Sequence, residues 1–149
     1  MAVTFYVLAD SQQTSENELS TPPAHFTLAC QLCAGFYRAN QRVFIYTGSQ
    51  PDAELIDQLL WQFDADSFVP HNLSGEGPAR GAPVEISWQP PKQSRQVLIN
   101  LAPDIPAFAN RFTDIIEFVP AGAAAKAQAR ERYKHYRQSG ITPATVNAD

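Results

Sequence analysis

The 149 residues predict an α/β fold: an open, mostly parallel sheet with helices on both faces. Three observations carry this. Short runs rich in β-branched and aromatic residues alternate with longer runs of helical character, and most of the connections between them are short. The second such run, Arg42 to Tyr46, is almost continuously apolar and has a helix on either side in sequence, as expected of a strand buried on both faces of a parallel sheet. With 44% hydrophobic and 17% charged side chains, the chain fits one compact domain over 1–149.

Val3 to Ala9 is too short for a buried helix and stops at Asp10, so it reads as a first strand followed by a polar loop, Ser11 to Thr21. Pro22-Pro23 can open a helix, whose first turn has no amide bonds to lose, and Ala24 to Ala39 continues it with Gly35 as the one breaker. After the strand at Arg42–Tyr46, Ser49 can cap a helix with Pro51 and Asp52 in its first turn and Leu55, Leu59, Leu60 and Phe63 as its apolar stripe. From Asp64 to Gly81, prolines, glycines and serines predict an extended loop. Two strands follow, Val84 to Trp88 and Gln96 to Leu101, joined by a turn at Pro90-Pro91. A short helix around Ile105 to Arg111, a strand from Asp114 to Val119 and a helix from about Ala123 to Gln138 complete the chain. The order of elements makes the domain Rossmann-like. No internal repeat or low-complexity tract suggests a second domain.

There is no run of about 18 apolar residues and no export signal at the N-terminus, so a soluble cytoplasmic protein with no membrane contact is expected. Cys30 and Cys33 fall mid-helix, not at the strand-to-helix turn where a helix N-terminus would activate a thiol, and take a structural reading. A net charge of −4 argues against coating nucleic acid directly. The charge is uneven: from Ala121 onward Lys126, Arg130, Arg132, Lys134 and Arg137 face only Glu131 and Asp149, a local +3 against −7 elsewhere. One local anion site is the expectation.

Chemistry is hard to place. No glycine-rich phosphate loop follows the first strand, and Gly75 to Gly81, the nearest approach to one, leads toward a strand instead of a helix. His25, His71 and His135 lie apart. His71, in the polar Pro70-His71-Asn72 segment, suits backbone support better than catalysis. No carboxylate spacing supplies a metal or acid–base pair, so neither cofactor nor metal is expected, and an enzyme finds little support.

The last helix is different. At about 100° per residue, Lys126, Arg130, Tyr133, Lys134 and Arg137 fall within an arc of roughly 100°, while Ala125, Ala129 and Tyr136 form a neighbouring stripe that can lie close to the sheet. Cations near a helix C-terminus complement the macrodipole, but that leaves Tyr133 unexplained. A flat amphipathic ring among donors suits a group both apolar and anionic, such as a peptide ending in an aromatic residue and a free carboxylate.

Ala129-Arg130-Glu131-Arg132-Tyr133-Lys134-x-Tyr136-Arg137, Ser67-Phe68-Val69-Pro70-His71-Asn72-Leu73-x-Gly75-Glu76-Gly77-Pro78, Leu60-Trp61 and Phe5-Tyr6-x-Leu8 together resemble, in order and spacing, the chi subunit family of bacterial DNA polymerase III. The resemblance implies a Rossmann-like domain without nucleotide that pairs with the psi subunit, reaches the clamp loader through psi, and binds the acidic C-terminal tail of single-stranded-DNA-binding protein. It admits a helicase as a further partner and makes DNA contact mainly indirect. It places the tail on Lys126, Arg130, Tyr133 and Lys134 with Val119 as apolar floor, and psi on Trp61 and Phe68. The rival reading is a direct single-stranded nucleic-acid binder using the same cations and Tyr133 for stacking.

Overall fold

The computed structural model describes residues 2–8, 24–62, 71–73, 83–91 and 95–147. Its strands are β1 (Ala2–Val7), β2 (Val43–Tyr46), β3 (His71–Leu73), β4 (Val84–Ser87), β5 (Val97–Asn100), β6 (Asp114–Val119) and β7 (Ala144–Asn147). The helices among the described residues are α1 (Ala24–Arg38), α2 (Gln50–Gln62) and α3 (Ala123–Gln138), with a 3-10 turn at Ala109–Arg111. The strands form one sheet in the order β3-β4-β2-β5-β6-β1-β7, and every pairing is parallel.

Strand alternation sorts the core into two layers. Val43, Ile45, Val84, Ile86, Val97, Ile99, Ile116 and Phe118 pack with Phe26, Ala29, Cys30, Cys33 and Ala34 of α1 and Ala53, Ile56 and Leu60 of α2. Val3, Phe5, Phe44, Leu98 and Ile115 point the other way, toward Phe108, Ala109 and Phe112 around the 3-10 turn and Tyr136 of α3. Helices therefore cover both faces, as the sequence predicts. The side chains of Val43, Phe44 and Ile45 have no solvent exposure at all, which explains why that strand reads as unbroken apolar sequence.

Local signals account for the element ends. The Asp52 amide donates to Ser49 Oγ at 3.4 Å, the capping bond expected at the start of α2. The α2 stripe is centred on Ala53, Ile56 and Leu60, with Leu55 and Leu59 half-buried; Phe63 lies outside the described residues, as do Pro22-Pro23 and the Gly75–Gly81 segment.

Three expectations change. The short helix around Ile105–Arg111 reduces to the 3-10 turn. The segment read as an extended loop contains β3, three residues held by parallel pairing to β4. The region after Gly140, with no strand predicted, contains β7, which pairs with β1. β7 has no buried residue, so it carries no hydrophobic alternation to read.

Candidate functional site

The site is built around α3, whose position is set by a buried carboxylate. Glu117 of β6 has no solvent exposure. Its Oε1 accepts from Arg132 Nε at 2.9 Å, and its Oε2 from Asn100 Nδ2 at 2.9 Å and the Tyr136 hydroxyl at 2.7 Å. Arg132 donates further to the carbonyls of Pro103 at 2.9 Å and Phe118 at 2.8 Å. Burial pushes the Glu117 carboxyl upward; Arg132 and the two hydroxyl and amide donors oppose that shift. Burial likewise raises the Tyr136 hydroxyl, with the Glu117 charge adding to the effect. Arg132, counted in the sequence among the basic residues of the last segment, is thus a structural cation facing inward.

The C-terminus of α3 closes in a Schellman arrangement. The Ile141 amide donates to the Tyr136 carbonyl at 3.0 Å and the Gly140 amide to that of Arg137 at 3.1 Å. Gly140 takes φ = 88°, a conformation that costs glycine little.

Ala129, Arg132 and Tyr136 turn into the protein, and the adjoining flank of α3, with Lys126, Arg130 and Tyr133, overhangs the sheet. A groove of about 260 Å³ lies there, lined by Lys126, Ala129, Arg130 and Tyr133 of the helix and by Phe5, Val7, Val119 and Thr145 of the strands. Register places Val7 beside Val119, and Phe5 beside both Glu117 and Thr145, so these strand residues share the face under the helix. Tyr133 is half-buried with its ring 5.4 Å from that of Phe5, tilted by 59°. An apolar floor therefore meets a cationic rim.

Of the residues singled out in the sequence, the groove brings together Lys126, Arg130, Tyr133 and Val119. Lys134 is outside its lining; its side chain is 67% exposed and its Nζ lies 3.5 Å from Glu131. Arg137 is exposed further along the helix. Phe5, Val7 and Thr145 carry no local sequence signal that points to this groove, because only strand register brings them under α3.

Trp61 lies on the surface at the end of α2, 64% exposed, with its ring 5.1 Å from that of His71. The His71 ring is itself buried, its Nε2 3.3 Å from Asp57 Oδ1. Phe68 lies outside the described residues. Cys30 and Cys33 are free thiols buried in α1, and burial pushes Cys30 up to about 12 and Cys33 higher still. His25, half-buried at the start of α1, is held down at about 4 by burial and by the Arg132 charge. Among the described residues, no group of three His, Cys, Asp or Glu could hold a metal, and no helix is long and apolar enough to cross a membrane.

The fold is thus an all-parallel α/β sheet that carries, under α3, a groove combining an apolar floor with a cationic rim. Comparison with known proteins narrows this. Residues 1–144 match the family described as DNA polymerase III chi subunit, HolC, and the chain belongs to that family. It is 43% identical over 145 residues to DNA polymerase III subunit chi of Haemophilus influenzae, covering 96% of this chain and 94% of that one. To the subunit of the same name from Escherichia coli it is 43% identical over 140 residues, covering 93% and 92%. To that of Pseudomonas aeruginosa it is 30% identical over 139 residues, covering 93% and 90%. Among solved structures, T4 UvsW superposes with a TM-score of 0.59 at 8% identity, covering 97% of this chain and 42% of that one, a likeness of fold alone.

Proposed function

We propose that this chain is a non-catalytic, cytoplasmic adaptor, a single domain that ties the DNA polymerase III clamp loader to coated single-stranded DNA. It holds the acidic C-terminal tail of single-stranded-DNA-binding protein and pairs with the psi subunit. The observation that carries the tail assignment is the groove. Its floor of Phe5, Val7, Val119 and Tyr133 suits one aromatic side chain, and Lys126 and Arg130 stand at its rim for a terminal carboxylate. Lys134 and Arg137, further along the exposed face of α3, attract the acidic residues that precede that end. The contact is small and partly exposed, so an affinity on the order of micromolar that falls with salt is expected. Several tails on one DNA-bound assembly strengthen it through avidity.

Direct binding of single-stranded nucleic acid is favoured by the same line of cations. Against it stands the charge balance of the rest of the chain, −7 outside the last segment, and the presence of one aromatic ring, Tyr133, within the line of cations. Trp61, an exposed aromatic of the kind that anchors interfaces, is the proposed psi contact, together with Phe68.

The test is a titration with a fluorescent acidic peptide ending in phenylalanine, alongside an oligothymidine of similar charge, at low and moderate salt. Peptide binding lost in Arg130→Glu supports the adaptor reading; binding of the oligonucleotide alone sinks it. Trp61→Ala is expected to abolish co-purification with psi while peptide affinity holds.

A further inference from the structure

Among the described residues, Thr145 is the one residue of β7 in the lining of the groove. We propose that β7 is part of the tail site and that Thr145 sets the size of the terminal side chain the groove accepts. This inference rests on the tail-binding reading above.

The geometry follows from register. On the face under α3, β6 presents Ile115, Glu117 and Val119, β1 presents Val3, Phe5 and Val7, and β7 presents Thr145 beside Phe5 and Asn147 beside Val7. The helix is pinned over β6 by Ala129, Arg132 and Tyr136 and reaches β1 through Tyr133. It goes no further: Thr145 and Asn147 are exposed. The apolar floor therefore runs from Val119 across Val7 and Phe5 and stops at Thr145, which stands opposite Lys126, Arg130 and Tyr133 as the second wall.

A side chain entering between these walls is limited in width by the threonine. Thr145 is short and carries no charge, so its effect is steric and separable from that of the cationic rim. Nothing in the basic pattern of α3 points to it.

The experiment uses the full chain and two peptides identical except for a terminal phenylalanine or tryptophan. In Thr145→Phe the added ring occupies the floor, and affinity for the phenylalanine peptide is expected to fall about tenfold or more. In Thr145→Ala the wall recedes, and the preference for phenylalanine over tryptophan is expected to narrow or reverse. Neither change alters charge, so the salt dependence of whatever binding remains should match that of the unsubstituted protein. The position is exposed, and a thermal melt checks that both variants fold; Thr145→Ala, which adds no bulk, serves if Thr145→Phe does not. Wild-type affinity in Thr145→Phe, or an unchanged phenylalanine-to-tryptophan ratio in Thr145→Ala, overturns the role of β7. Arg130→Glu, run in parallel, separates the two levels: if it abolishes binding while both Thr145 variants behave like wild type, only this inference fails, whereas if it too binds normally, the tail-binding reading fails with it.

Discussion

Glu117 and Arg132 show how one pair of residues can decide the placement of a helix. Each is buried, each is fully engaged, and each would leave the other's charge stranded if removed. Arg132→Ala is therefore expected to destabilise the protein by about 3–5 kcal/mol, measured by urea denaturation. A substitution confined to the rim, such as Arg130→Ala, should stay within about 0.5 kcal/mol. The pair was not legible in the sequence. Glu117 sits in Asp-Ile-Ile-Glu-Phe-Val, where a charged residue in a strand suggests a solvent-facing position, and Arg132 is surrounded by cations that do face water. Their partnership spans 15 residues and two elements, beyond any local spacing rule. Lys126, Arg130 and Tyr133 were legible because helical periodicity alone puts them on one face.

His25 belongs to the same scale. The folded protein holds it at about 4, while an unfolded chain has it near 6.5. As pH falls, the unfolded chain takes up the proton first. The stability that neutral His25 permits is thus complete above about 6.5 and is lost progressively toward 4. His25→Gln should remove that part of the acid decline, seen as a shallower fall in Tm between those two pH values.

At the scale of elements, α3 and β6 agree with their sequence boundaries because each carries its own signals. α3 has helix formers, a glycine-containing C-cap and a stripe of small residues, and β6 has dense apolar residues. Gly140→Ala tests the cap: forcing a Cβ into φ = 88° is expected to cost about 1 kcal/mol, measured as a lower Tm, although no atom lies within 4 Å of where the Cβ would sit. The cost is conformational, with no crowding involved. In α1, Cys30 and Cys33 should stay inert to a thiol reagent at pH 8 in the native protein and react once it is unfolded. Burial has raised both well above ordinary thiol values. β3 and β7 were the hardest elements to foresee. Both are short edge strands defined by the neighbour they pair with, β4 in one case and β1 in the other. Their own residues carry little pattern.

Across the whole molecule, a net −4 surrounds one line of cations on α3, and on the proposed tail-binding reading this distribution disfavours polyanions in general while leaving one face for a short acidic segment. Lys134 is shared with Glu131 at 3.5 Å, both largely exposed. Relieving that competition in Glu131→Gln should raise affinity for the acidic peptide about two- to threefold at low salt, with the gain disappearing as salt increases. The similarity of fold to T4 UvsW, at 8% identity, fits the view that such a sheet is a scaffold whose use depends on what is mounted at its surface.

The parallel arrangement of every strand has a practical corollary for anyone handling this protein. Because β1, β6 and β7 run the same way, Val7, Val119 and Asn147 all finish at one edge of the sheet, beside the groove, while Ala2 starts at the opposite edge. At about 3.3 Å per residue, the length of β1 separates the two by roughly 17 Å. On the proposed tail-binding reading, a fluorophore attached at Asn147 is placed to crowd the peptide it is meant to report, whereas one attached at Ala2 is placed to leave that edge clear. Binding results from the two placements should not be assumed interchangeable.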